Sequence, residues 1–212
     1  MEYLNATEAR VIGSLIEKEL TTPEYYPLSL NALTNACNQK SSREPVVSYS
    51  EEEVENALTT LREKKLARMV QDGGRVVKYK EALVEQISLD PKETAVLTLL
   101  ILRGPQTAGE LRSRSGRMYE FQSLEEVELT LQNLSGREAD PLVVKLERQT
   151  GMKERRYAHL LCGPVNTDNK EVLNNGTSNN DKFEILYQEL DKLKLEFELL
   201  KEQFSNFKKQ FE

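Results

Sequence analysis

Apolar residues recur at helical spacing through Val11, Ile12, Leu15 and Ile16, which predicts an amphipathic helix over 6–19. Asn5 followed by Glu8 three residues on gives that helix a capping box, and Thr21-Thr22-Pro23 stops it. A shorter helix is predicted from Ser29 to about Asn38, with Leu30, Leu33 and Cys37 on one face. Lys40 to Ser48 is polar, contains Pro45 and reads as a loop. Ser50 with Glu53 forms another capping box, opening a third helix over 51–64 whose core stripe is Val54, Leu58 and Leu61. Leu66–Val70 and Val76–Lys80 then flank Asp72-Gly73-Gly74, the pattern of a β-hairpin.

The same order returns downstream. Asp90, Pro91 and Glu93 supply a cap, a first-turn proline and a capping box for a helix that runs to about Leu102. Gly104-Pro105 breaks it. Thr107 with Glu110 opens a short helix, and Ser123 with Glu126 opens another. Leu142–Leu146 and Arg155–Leu161 flank Thr150-Gly151 as a second hairpin. Glu52-Glu53-Val54-Glu55 is matched by Glu125-Glu126-Val127-Glu128, and Leu4 through Ile16 by Leu89 through Ile101. Three helices followed by a hairpin predict a winged helix, and the duplication predicts two in tandem. The expected fold class is therefore mostly α with small β-hairpins (α+β), with winged-helix domains at 1–85 and 86–161.

Residues 162–182 shift to Asn, Gly, Asp, Thr and Ser and read as a flexible linker. Beyond it the apolar spacing becomes heptad. Phe183, Leu190, Phe197, Phe204 and Phe211 take one seam position; Leu186, Leu193, Leu200 and Phe207 take the other. A coiled-coil helix over 183–212, about 45 Å long, is expected. Glu189, Glu196 and Gln203 at g would face Lys194, Lys201 and Lys208 at e in a parallel pair, which favours parallel self-association. The alternative is a tail folded back on its own body.

Composition bounds the function. Charged residues make up 30% of the chain and apolar ones 38%, as expected of a soluble protein. The longest apolar run, Val96–Leu102, contains Thr98 and is too short to cross a bilayer. Glu2, Glu8 and Arg10 interrupt any leader-like start, so a cytoplasmic location is expected. Cys37 and Cys162 form neither a disulfide framework nor a metal spacing; Cys37 reads as a buried thiol. Net charge is −6, yet residues 86–161 are balanced with 11 basic and 11 acidic side chains. Any nucleic-acid binding must then rest on local patches.

Two stretches carry a resemblance. Glu8-Ala9-Arg10-Val11-Ile12-Gly13-Ser14-Leu15-Ile16-Glu17-Lys18 and Tyr26-Pro27-Leu28-Ser29-Leu30-Asn31-Ala32-Leu33-Thr34-Asn35-Ala36-Cys37-Asn38-Gln39-Lys40 resemble the YceH family of uncharacterised bacterial proteins. Arg103-Gly104-Pro105-Gln106-Thr107-Ala108-Gly109-Glu110-Leu111-Arg112 is similar to that family's second-domain segment. The resemblance covers about residues 1–161. It implies a tandem winged-helix fold in a bacterial cytoplasmic protein and brings no catalytic residues.

A winged helix commonly sets its third helix in the major groove of DNA. Here those helices open with Glu51, Glu52, Glu53 and Glu55, and with Glu125, Glu126 and Glu128, which suit the helix dipole but repel phosphates. Basic residues lie elsewhere: Lys40 and Arg43 in the first turn-loop, and Arg112, Arg114 and Arg117 at the equivalent place downstream. Arg75, Lys78 and Lys80 sit on the first hairpin, and Lys153, Arg155 and Arg156 on the second. Double-stranded DNA held mainly by the basic hairpins and second-helix region of the second domain is one expectation. A protein-interaction scaffold using the acidic third helices and the coiled-coil tail is the other. No enzyme is expected: there is no phosphate loop, metal set or nucleophile elbow, no cofactor motif, and His159 reads as structural.

Overall fold

The computed structural model describes residues 2–71, 76–138, 140–148, 151–152, 154–165 and 201. Arg75, Lys153 and the seam residues of the heptad tail lie outside the described residues. The described chain is α+β, with seven α-helices and two small antiparallel sheets. Its first repeat runs α1 (Ala6–Thr21), β1 (Leu28–Ser29), α2 (Leu30–Cys37), α3 (Glu51–Glu63), β2 (Ala67–Val70) and β3 (Lys78–Glu81). A single turn, α4 (Leu83–Gln86), leads to the second: α5 (Pro91–Arg103), α6 (Ala108–Ser115), α7 (Leu124–Ser135), β4 (Val143–Lys145) and β5 (Tyr157–His159).

The capping residues read from the sequence act as caps. Asn5, Ser50, Asp90 and Thr107 each accept a hydrogen bond from the backbone N–H of the Glu three residues on, and that Glu's carboxylate accepts one from the cap's own N–H. Ser29 and Ser123 accept theirs without a returning carboxylate. Each box satisfies two orphan amides, so helix starts are set locally.

The repeats match in register as well as order. In the first, β1 joins the hairpin to give the strand order β1-β3-β2, with Leu28 opposite Tyr79. In the second, Gln106 forms an isolated bridge with Tyr157, the same pairing without the rest of a strand. Strand β1 and turn α4 were not predicted; each is too short to show a period.

Both repeats belong to one compact unit, and α1 packs on α5 as well as on α2 and α3. This explains the burial of both helices nearly all round: Glu8–Ile16 and Thr94–Leu102 are buried without a break. Fully buried leucines such as Leu97 and Leu100 each contribute roughly 1.5–3 kcal/mol. Gly13 permits the approach of α1 to α5: a Cβ there would lie 2.6 Å from Ile101 Cγ2 and 3.1 Å from Leu102 Cδ2. Backbone bonds close the arrangement. Leu4 N–H donates to Leu161 O (2.8 Å), and Leu89 N–H donates to Val84 O (3.1 Å). The start of each first helix is thus held by the segment following the other repeat's hairpin. Glu44 N–H to Leu102 O (2.8 Å) adds a further tie. No described helix is long and apolar enough to cross a membrane.

Candidate nucleic-acid interface

The predicted basic residues divide into three settings. Arg43 is buried. Its guanidinium donates to Glu17 (Nη1–Oε1 3.0 Å), to Ala36 O (2.9 Å from Nη2) and to Ser42 O (2.9 Å). Nearby Arg10, also buried, donates to Pro45 O (2.7 Å) and Cys37 O (3.3 Å). Burial pushes the Glu17 carboxyl up, but hydrogen bonding and charge from Arg43 outweigh it and hold Glu17 below the usual range. Arg10 is pulled below its ordinary value by burial first and then by Arg43. Two guanidiniums and one carboxylate here fasten the loop after α2 onto α1. Arg43 therefore has no surface to offer a phosphate. Lys40, three residues earlier, is exposed.

The second setting joins α6 to β5. Glu110 Oε1 lies 3.4 Å from Arg114 Nη2 and 3.5 Å from Arg156 Nη2. Arg114 Nη1 also donates to Gln106 Oε1 (2.7 Å), and Arg156 Nη1 donates to Pro105 O (2.7 Å). Gln106 is 0% exposed and donates from Nε2 to Leu99 O (3.0 Å), so its amide is fixed from both ends. Arg103, at the end of α5, donates to Ser42 Oγ (2.6 Å). Burial first, and then the charge of Arg114, pull Arg103 below its ordinary value. Two half-exposed arginines from different elements thus share one carboxylate, leaving a net positive charge. Glu147 and Glu154 line a small hollow beside Arg156.

The remaining candidates are separate. Arg112 is exposed and donates to Gln122 O (3.0 Å) in the α6–α7 turn. Arg117 and Arg155 are exposed. Lys78 is exposed and Lys80 half-buried; they flank the inward Tyr79 on β3. The chain therefore brings Arg114 and Arg156 together but not Arg43 and Lys40.

The acidic third helices are partly occupied. Glu51 accepts from Asn31 Nδ2 (3.0 Å), Glu53 caps α3, and Glu126 pairs with Lys92 (2.7 Å) and accepts from Tyr119 Oη (3.3 Å). Glu52, Glu55, Glu125 and Glu128 are exposed. His159 lies on β5 with Nδ1 buried and without a hydrogen-bond partner among the described residues; burial lowers its pKa to about 4. The ring is neutral at neutral pH. Among the described residues, no group of three or more His, Cys, Asp or Glu is placed to hold a metal ion.

Sequence reading missed Glu17, Arg10, Gln106 and Glu110 as partners of the basic residues. One signal was present: Gln106 occupies the repeat position of Leu28, a polar residue where the duplicate has an apolar one.

A family model described as "Protein of unknown function, DUF480" matches residues 4–152. The chain belongs to the DUF480 family. Its relatives carry the name UPF0502. One from Pelobacter propionicus is 50% identical, covering 99% of this chain and 98% of that protein. Another from Geotalea uraniireducens is 59% identical over 76% of this chain and 73% of its own length. The UPF0502 protein YceH of Escherichia fergusonii is 52% identical over 78% of this chain and 80% of its own. The resemblance to the YceH family read from both repeats is thereby established, and this DUF480 chain inherits no named activity from it.

Proposed function

We propose that this DUF480 chain binds double-stranded DNA with two tandem winged helices, the second supplying most phosphate contacts. The observation that carries this reading is the convergence of Arg114 and Arg156 on Glu110. It fixes two guanidiniums where the second helix meets the hairpin, while exposed Arg112, Arg117 and Arg155 extend the charge. Fixed arginine forks suit phosphate oxygens and carry no sequence information by themselves. Lys40, Lys78 and Lys80 of the first repeat, with Arg75 and Lys153 on the hairpins, complete the set; Arg43 does not belong to it. Glu125 and Glu128 keep α7 from deep entry into a groove. Residues 183–212 would pair two copies in parallel through the Phe/Leu seam, adding avidity.

The test is titration of full-length protein with random duplex at about 50 mM and about 200 mM salt. Binding should weaken steeply, and an Arg112/Arg117/Arg155→Ala variant should lower the salt slope by roughly 0.9 per lost contact. Absence of binding at the lower salt would remove the reading. Truncation after 182 should lower the number of copies per particle in solution; an unchanged number would remove the role given to the tail.

A further inference from the structure

An open groove of about 520 Å³ lies between α6 and the start of α7. Its walls include Gly109, Ser113 and Gly116 of the α6 segment, with Phe121 and Leu124 opposite. The corresponding face of the first repeat is built from other residues. There the matching positions are Asn31, Asn35 and Asn38. Asn35 donates to Asn31 (3.2 Å), Asn31 donates to Glu51 (3.0 Å), and Asn38 donates to Tyr49 O (2.7 Å) and accepts from Tyr49 N–H (2.8 Å). A ladder of amides runs along the face where the second repeat has Gly109, Ser113 and Gly116.

The fold does not require those glycines. A Cβ at Gly116 would meet nothing within 4 Å, and one at Gly109 only Thr107 Oγ1 at 3.9 Å. Gly116 has φ −53°, which any residue adopts. The rim differs between repeats as well. Leu124 and Leu129 are 38% and 58% exposed, where α3 carries Glu51 and Asn56. The two helices share the buried stripe Val54, Leu58, Leu61 and Val127, Leu131, Leu134, so packing does not demand leucine at either exposed position. At 100° per residue, Glu125 and Glu128 lie on the exposed arc between the two leucines. Glu120 lines the groove from the other side. Arg112, the cation among the described lining residues, is turned to Gln122 O and holds Glu125 as its neighbouring charge.

We propose that this groove and the exposed arc of α7 receive a basic amphipathic helix from a partner protein. An apolar side chain of that helix fills the space beside Gly109 and Gly116 against Phe121 and Leu124, and its lysines or arginines face Glu120, Glu125 and Glu128. Apolar anchors at helical spacing within a charged rim are the recognition chemistry of a helix in a groove. The choice of a basic partner follows from charge complementarity with the acidic rim. The inference does not rest on DNA binding: Arg114, Arg117, Arg155 and Arg156 take no part in it, and only Arg112 lines both sites.

The probe is a labelled 18-residue synthetic helix with leucines at i, i+4, i+7 and i+11 and lysines on its flanks, beside a twin with glutamates for lysines. Both are titrated against the full chain by fluorescence anisotropy. One variant combines Gly109→Asn and Gly116→Asn, and a second combines Leu124→Glu and Leu129→Asn, each installing what the first repeat already carries. The lysine helix should bind the natural chain and lose at least about ten-fold affinity for both variants. The second variant adds negative charge, so a loss there opposes non-specific attraction. The glutamate twin should not bind. Equal affinity for natural chain and variants, binding of the twin, or no binding of the lysine helix would each overturn the proposal. Should a variant fail to fold, amide shift changes on the natural chain decide: they should centre on Gly109, Gly116 and Leu124, and changes centred elsewhere overturn it. Salt-dependent DNA binding should be the same for the natural chain and the Gly109→Asn/Gly116→Asn variant, which changes no charge, and this separates the site from the basic one.

Discussion

The two repeats use one scaffold and finish it in opposite ways. Both set two cations around one carboxylate near the second helix: Arg43 and Lys18 around Glu17 in the first, Arg114 and Arg156 around Glu110 in the second. In the first the Arg43–Glu17 pair is enclosed, with the Arg43 side chain 0% exposed. In the second, Arg114 and Arg156 stand half in solvent. The first repeat also lines its second helix with asparagines, where the second has Gly109, Ser113 and Gly116. A duplicated fold needs its capping boxes and apolar stripes twice, but its surface only once. The first repeat spends its polar residues on internal order, and the second leaves arginines and a groove facing outward.

The largest effect that would break this comparison is at the shared carboxylates. Glu17→Ala should destabilise the chain by about 3–5 kcal/mol, because it leaves Arg43 buried without its carboxylate. Glu110→Ala should cost less, about 1–2 kcal/mol, mostly from the lost capping-box acceptor at Thr107 N–H, since its arginine partners reach water. Urea midpoints of the two variants test this directly, and equal shifts would erase the distinction. Acid should act on the same pair. With Glu17 held below the ordinary carboxylate range, its contribution is present above that range and is lost as pH falls through the lowered value.

Next in size is a pH response from the matching strand ends. Where β3 has Glu81, β5 has His159. Burial lowers His159 from 6.5 to about 4, so its contribution is present above about 6.5 and is lost as pH falls through about 4. The full swing is on the order of 3 kcal/mol. Glu81 runs the other way. Burial raises it, with Glu19 adding to the rise, so it costs stability as pH climbs past the ordinary glutamate value. Denaturation midpoints from pH 7 to pH 4.5 should therefore flatten in His159→Gln; an unchanged slope would show that His159 is not the source.

Two glycine substitutions sharpen the contrast further. Gly13→Ala should destabilise by about 1–3 kcal/mol, because the new methyl overlaps Ile101 across the α1–α5 contact. Gly109→Ala should stabilise by about 0.5 kcal/mol, because the methyl enters open space and the unfolded chain loses freedom. Thermal melts that moved in the same direction for both would mean that the groove is not open in solution.

Much of this fold was legible in the linear chain because its determinants are local. Asn5 with Glu8 and Asp90 with Glu93 are capping boxes within four residues, and they start helices where the sequence says they should. Val54, Leu58 and Leu61 repeat at the helical period and form the buried stripe of α3. The duplication shows in the text itself. The order of helices and hairpins, and membership of the DUF480 family, follow from such short-range patterns. Side-chain partnerships were not legible, because they join residues distant in the chain. Arg43 and Arg114 looked alike as basic residues beside a second helix, yet Glu17 lies 26 residues from Arg43, and Arg156 meets Glu110 across 46. Only packing decided that one arginine is enclosed and the other exposed, since burial depends on what α1 and α5 bring alongside. The groove was hidden for the same reason: Gly109, Ser113 and Gly116 read as weak helix formers until α7 was placed against them with Leu124 on the rim. Sequence set the elements through local hydrogen bonds and periodicity; tertiary structure chose, through long-range burial, which polar groups serve the fold and which face outward.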